Sequence, residues 1–135
     1  MSNKKNGTVF EQDFAKLLAG YGFWVHLLQD NRNGQPFDVI AAKAGETYVF
    51  DCKDCQNGVF PLNRIEENQE CAMRLWQECG NREGMFALKF PSGIRMLSYT
   101  TAMELIEIGH RRLSGFRIRE NTVTFEEWIN ENYNQ

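Results

Sequence analysis

The spacing of apolar residues divides the chain into an ordered series of helices and strands. Phe10, Phe14, Leu17 and Leu18 recur at the three-to-four spacing of one helix face. Thr8 and Glu11 stand three apart, as in a capping box, so the pattern predicts a helix that opens at Thr8 and ends at Gly20 to Gly22. Phe23 to Leu28 read as a strand, followed by a polar loop from Gln29 to Gln35. Apolar, β-branched and aromatic residues then flank Ala44-Gly45-Glu46, which predicts an antiparallel hairpin. After the loop Gln56-Asn57-Gly58, Asn63 and Glu66 stand as caps for a long helix to about Cys79, closed by Gly80. Ile65, Ala72, Leu75 and Trp76 supply its core face. Met85 to Phe90 and Ile94 to Tyr99 read as strands joined at Pro91-Ser92-Gly93. Helices opening at Thr101-Ala102-Met103-Glu104 and at Thr124-Phe125-Glu126-Glu127 close the chain. The strand, helix and strand in the middle imply a parallel pair with a right-handed crossover, inside a mixed sheet.

Composition narrows the class more than the chemistry. A 42% hydrophobic, 13% aromatic chain is globular rather than disordered. At 135 residues, one domain spanning 1–135 is expected. No apolar run is long enough for a membrane span. The charged start Met1 to Gly7 lacks the apolar stretch of a secretory leader, so the cytoplasm is the expected compartment. The net charge of −3 requires any nucleic-acid contact to be local. The basic clusters available are His110-Arg111-Arg112, Arg117 with Arg119, and Lys4-Lys5, each of which taken alone also reads as a solvated face. Cys52 and Cys55 have the C-x-x-C spacing of a redox pair or half a zinc site, but Cys71 and Cys79 are too far apart to complete one. Free thiols are the expectation, with a redox protein as the alternative.

The hairpin carries the strongest chemical signal. Side chains alternate faces along a strand, so Asp51 and Lys53 share one face while Cys52 points away. Asp38, on the partner strand, can reach the same face. Two carboxylates and an ammonium at one sheet edge suit a hard divalent cation, with a positive charge left for an anion. Carboxylates among apolar strand residues are poor structural choices, because burying an unpaired charge is costly. This is the constellation of a nuclease.

With Glu11 on the preceding helix and the order of elements around it, the chain resembles the PD-(D/E)XK nuclease superfamily. Pro36 and Asp38, then Asp51-Cys52-Lys53, stand for its motif, with Asp51 in place of the more frequent Glu. The segment Phe60-Pro61-Leu62-Asn63-Arg64-Ile65-Glu66-Glu67-Asn68-Gln69 further resembles the opening of the crossover helix in RecU-type Holliday junction resolvases, and the chain, shorter than the bacterial members, looks like a reduced or phage-encoded relative. Gln69 matches the family Gln, and Asn68 stands where His is usual.

The resemblance implies a restriction-endonuclease-like α/β (α+β) fold, a mixed sheet flanked by helices. It also implies an Mg2+-dependent endodeoxyribonuclease, with Mn2+ as the alternative ion, cutting branched DNA such as Holliday junctions as a homodimer. Asp38, Asp51 and the Cys52 carbonyl would hold the metal, with Glu11 near a second ion or its water. Lys53 would position a water or offset charge on phosphorus, and Gln69 would orient Lys53 or the water. The rivals are a repair or restriction-type endonuclease and a non-catalytic DNA-binding member of the same fold.

Overall fold

The computed structural model describes residues 3–28 and 36–133. The polar loop expected at 29–35, Gln35 included, and the side chains of Lys4 and Lys5 lie outside this description.

Helix α1 (Asn3–Gly20) leads into strand β1 (Trp24–Leu27), followed by the hairpin of β2 (Val39–Lys43) and β3 (Glu46–Asp54). Ala44 and Gly45 both take positive φ, +53° and +82°, the backbone sign that a two-residue turn of the hairpin hand requires. Register pairs Val39 with Phe50 and Lys43 with Glu46. A short strand β4 (Phe60–Pro61) and a 3₁₀ turn (Leu62–Arg64) precede helix α2 (Glu67–Glu78). This helix crosses over to β5 (Met85–Phe90), which runs parallel to β3 as the sequence predicts. Strand β6 (Gly93–Ser98), helix α3 (Tyr99–Ile108), strand β7 (Arg112–Leu113), helix α4 (Phe116–Asn121), strand β8 (Val123–Thr124) and helix α5 (Phe125–Tyr133) complete the order. The main sheet runs β1-β2-β3-β5-β6-β8, and β4 with β7 forms a separate two-stranded ribbon.

Each sheet face has its own core. Phe10, Phe14 and Leu18 of α1 pack with Phe125, Trp128 and Ile129 of α5 over Phe50 and Tyr48. Phe14 is central, its ring edge-on to Phe50 at 5.1 Å and to Phe125 at 5.8 Å. On the opposite face Met73 of α2 and Leu105 of α3 cover Val49, Phe86, Leu88 and Leu97, with Phe60 and Leu113 from the ribbon.

Several boundaries differ from the expectation. Helix α1 begins at Asn3, so Thr8 lies inside it and forms no capping box with Glu11. A Thr within a helix costs at most about 0.7 kcal/mol, too little to stop the helix there. Asn63 sits in the 3₁₀ turn, and Glu66 is the N-cap of α2. Leu75 is 61% exposed, because the buried stripe of α2 runs through Gln69 and Met73 instead. Helix α3 is capped by Ser98, whose side chain accepts from the Thr101 N–H at 3.1 Å. Thr124 and Glu127 do form the expected reciprocal cap at α5, at 3.0 and 2.9 Å.

Candidate active site

Asp38 sits where the chain enters β2, and backbone bonds fix it there. Its N–H donates to the Phe50 carbonyl, and its carbonyl accepts from Leu28, both at 2.9 Å. Its carboxylate Oδ2 accepts from the Cys52 N–H at 2.7 Å. Along a strand the N–H and C=O of one residue point to the same side, so the Cys52 carbonyl also faces the Asp38 side, where β2 has not yet begun. The Cys52 thiol points into the α1 core.

Asp51 and Lys53 face α2, and Gln69 ties them to it. Its Nε2 donates to Asp51 Oδ1 at 2.8 Å. Its Oε1 accepts from Lys53 Nζ at 3.3 Å and from the Glu66 N–H at 3.1 Å. Two donors on one side and a carboxylate on the other fix the orientation of the amide. The capping spacing Glu66-x-x-Gln69 was the sequence signal for this link, which the pairing of Asn63 with Glu66 obscured. Arg64, also unassigned from sequence, donates to the Asp54 carbonyl at 3.1 Å where β3 ends.

Asp51 is the electrostatic centre. It is 1% exposed, and burial pushes its carboxyl up to about 8. Lys53 pulls in the opposite direction, while Asp38 raises it further through charge and a shared hydrogen bond. Lys53 Nζ lies 3.1 Å from Asp51 Oδ2, yet that oxygen has no hydrogen bond of good direction among the described residues. Two adjacent carboxylates, one buried oxygen left unsatisfied and a neighbouring carbonyl fit a hard cation that takes oxygen ligands. Among the described residues no three His, Cys, Asp or Glu side chains are grouped to hold a metal ion, so the fit rests on two carboxylates and a carbonyl.

The raised Asp51 pKa sets a pH dependence. In the metal-free fold Asp51 keeps a proton that the unfolded chain releases above its ordinary 3.8. This contribution to stability is complete below about pH 4 and is lost as pH rises through about 8. A divalent cation held here would require the ionised carboxylate, so any rise in melting temperature that such a cation causes should grow between about pH 6 and about pH 9. Paired thermal melts with and without Mg2+ check this. A shift independent of pH would contradict it.

The structure thus brings Asp38, Asp51, Lys53, Gln69 and the Cys52 backbone together. Glu11 stands half-buried on α1, and its charge helps raise the Cys52 thiol. Asn68 is exposed. All four cysteines are free thiols. Burial pushes Cys52 well up and Cys55 to about 11, which leaves little thiolate for redox chemistry near neutral pH. No helix among the described residues is long and apolar enough to cross a membrane.

No family model and no curated protein matches the chain. A solved structure does: Archaeoglobus fulgidus Hjc, a Holliday junction resolvase from an archaeal hyperthermophile, matches with a TM-score of 0.69 and 17% identity. The match covers 90% of this chain and 98% of that one. The likeness is one of fold, and the mixed sheet flanked by helices is the architecture expected from the sequence.

Proposed function

We propose that this protein is a divalent-metal-dependent endodeoxyribonuclease that cuts branched DNA, with four-way junctions as its substrate and a homodimer as its working form. The observation that carries the reading is the buried Asp51 carboxylate with one oxygen unsatisfied, flanked by Asp38 and Lys53 and held by Gln69. The fold is also that of a protein described as a Holliday junction resolvase.

Asp38, Asp51 and the Cys52 carbonyl would hold Mg2+ or Mn2+. The ion, when bound, supplies Lewis acidity toward a phosphate oxygen and a water. The remaining work falls to the protein. Lys53, only 11% exposed, places its ammonium in a poorly screened site, where it offsets the negative charge that builds on phosphorus. Gln69 holds Lys53 and Asp51 in one geometry, so neither must reorganise as water attacks phosphorus and the ester P–O bond breaks.

Because α1 starts at Asn3, Glu11 stands within the helix and not in its first turn. Glu11→Gln should therefore lower activity about tenfold through loss of charge near the metal-holding edge, with little change in melting temperature. A Mg2+ titration of the cleavage rate beside a thermal melt measures both. Wild-type rates at every Mg2+ concentration would remove Glu11 from the site.

Resolving a junction takes two symmetric cuts, and the described residues of each chain offer one candidate site, that of Asp38 and Asp51. A two-fold dimer presents two identical sites on opposing strands. Light scattering at micromolar concentration should report a dimer, and a cruciform plasmid should be linearised by paired nicks. A monomer that leaves single nicks would refute the dimer reading, and equal cutting of linear duplex would favour a repair or restriction-type enzyme.

A further inference from the structure

We propose that the segment from Gly109 to Arg119 is a second DNA-contacting surface, in which arginines take phosphates and Phe116 stacks on a base exposed at a branch. The inference rests on the reading of the protein as a DNA nuclease and adds where it grips its substrate and how it tells a branch from a duplex.

Charge is the first observation. The chain carries more acids than bases, yet Arg111, Arg112, Arg117, Arg119 and His110 fall in one stretch without an acid, bounded by Glu107 and Glu120. All four arginines are exposed. The ion pairs among the described residues join Lys53 to Asp51 and Arg74 to Glu70, and none involves this segment. Elsewhere guanidinium groups are committed to the fold: Arg64 binds the Asp54 carbonyl, Arg82 binds Asn132 and Arg95 binds Thr122. Here the one hydrogen bond of the Arg117 guanidinium among the described residues is to the His110 ring, at 3.1 Å. Uncommitted guanidinium groups on one segment are what a phosphate backbone requires.

The second observation is Phe116. Its ring is 59% exposed directly beside Arg117, while its neighbour Leu113 is fully buried. Gly115 holds φ +57° and ψ −133°, a conformation that glycine alone takes readily, and so presents Phe116 at the start of α4. An exposed ring among cations matches the way proteins hold unpaired bases, by stacking within a positive groove.

The third is placement. Strand β7 within the segment pairs with β4, and the Leu62 N–H donates to the Arg111 carbonyl at 2.9 Å. That stretch joins β3, which carries Asp51 and Lys53, to α2, which carries Gln69. The basic segment is therefore bonded to the connection between the two halves of the candidate site. A concavity of about 750 Å³ lies between His110, Arg111 and Arg112 on one side and Asn57, Val59 and Pro61 on the other.

Anisotropy titrations in Ca2+ on a four-way junction and a matched duplex, at several salt concentrations, test the proposal. The variant R111A/R112A/R117A/R119A should weaken binding to both DNAs and reduce the slope of log K against log salt by about 3 to 4. Single Arg→Gln variants, each expected to reduce it by about 1, cover the case in which the quadruple variant does not fold. Phe116→Ala should weaken junction binding about tenfold, leave duplex binding unchanged and keep the oligomeric state. Wild-type affinity and slope in the arginine variants would overturn the phosphate contact. Equal loss on both DNAs, or dissociation of a dimer, would overturn the stacking role of Phe116. Cleavage assays separate this from the nuclease reading. A protein that binds through the segment but never cuts leaves the surface standing, and one that cuts without needing the arginines leaves the nuclease standing.

Discussion

Asp51→Asn should lower the rate of DNA cleavage on the order of 10³-fold or more, the scale of several kcal/mol of lost charge stabilisation at a metal site. Binding of a junction in Ca2+ should stay within a few-fold of wild type. The amide keeps the shape of the side chain, and its oxygen can still accept the bond that Gln69 Nε2 now gives to Asp51 Oδ1 at 2.8 Å. Its nitrogen can donate to Asp38. What disappears is the charge that a hard cation needs. The same change removes a carboxyl that burial and Asp38 make costly to ionise, so the metal-free variant should melt higher than wild type above about pH 8. Gain of stability with loss of activity is the signature of a strained functional carboxylate. An active variant at low Mg2+ would remove Asp51 from the site.

Lys53→Ala should slow cleavage about 10²-fold, the usual scale for a positioned charge-stabilising or proton-transfer group. A second effect follows from its neighbours. Lys53 is the group that pulls the Asp51 carboxyl down, opposing burial and Asp38. Without it Asp51 ionises at higher pH, so the remaining activity should rise to its plateau at higher pH than in wild type. A pH–rate profile of both proteins at a fixed, subsaturating Mg2+ concentration reads this shift. A lysine that served only as an ion-pair partner would leave the wild-type rate once Mg2+ saturates.

The residues that carry these predictions were legible for a simple reason. Side chains alternate faces along any strand, so the shared face of Asp51 and Lys53 follows from counting even though β3 is buried on both faces. Asp38 and the crossover helix follow from the turn and helix signals on either side. Gln69 came from the resemblance of the Phe60 to Gln69 segment, because pairing Asn63 with Glu66 as caps hid the Glu66-x-x-Gln69 spacing.

Elements held together by partners distant in sequence were not legible. Strands β4, β7 and β8 are two residues each, too short to show alternation, and exist because Phe60 pairs with Leu113 and Met96 with Val123. Helix α4 buries no residue fully and so prints no apolar stripe. Thr8 and Glu11 illustrate the opposite error. Their spacing satisfies a local rule, but the helix continues upstream of them. Leu75 suited a helix face by composition, while Met73 was the residue facing the sheet.

The most direct test of the central claim is a set of cleavage rates with Mg2+ on a four-way junction, a fork, a linear duplex and a single strand that share one sequence. The account predicts paired cuts in the junction at least about tenfold faster than any cut in the duplex, the scale of one base-stacking contact, and no cleavage when EDTA replaces Mg2+. Equal rates on junction and duplex, or cleavage that persists in EDTA, would contradict it.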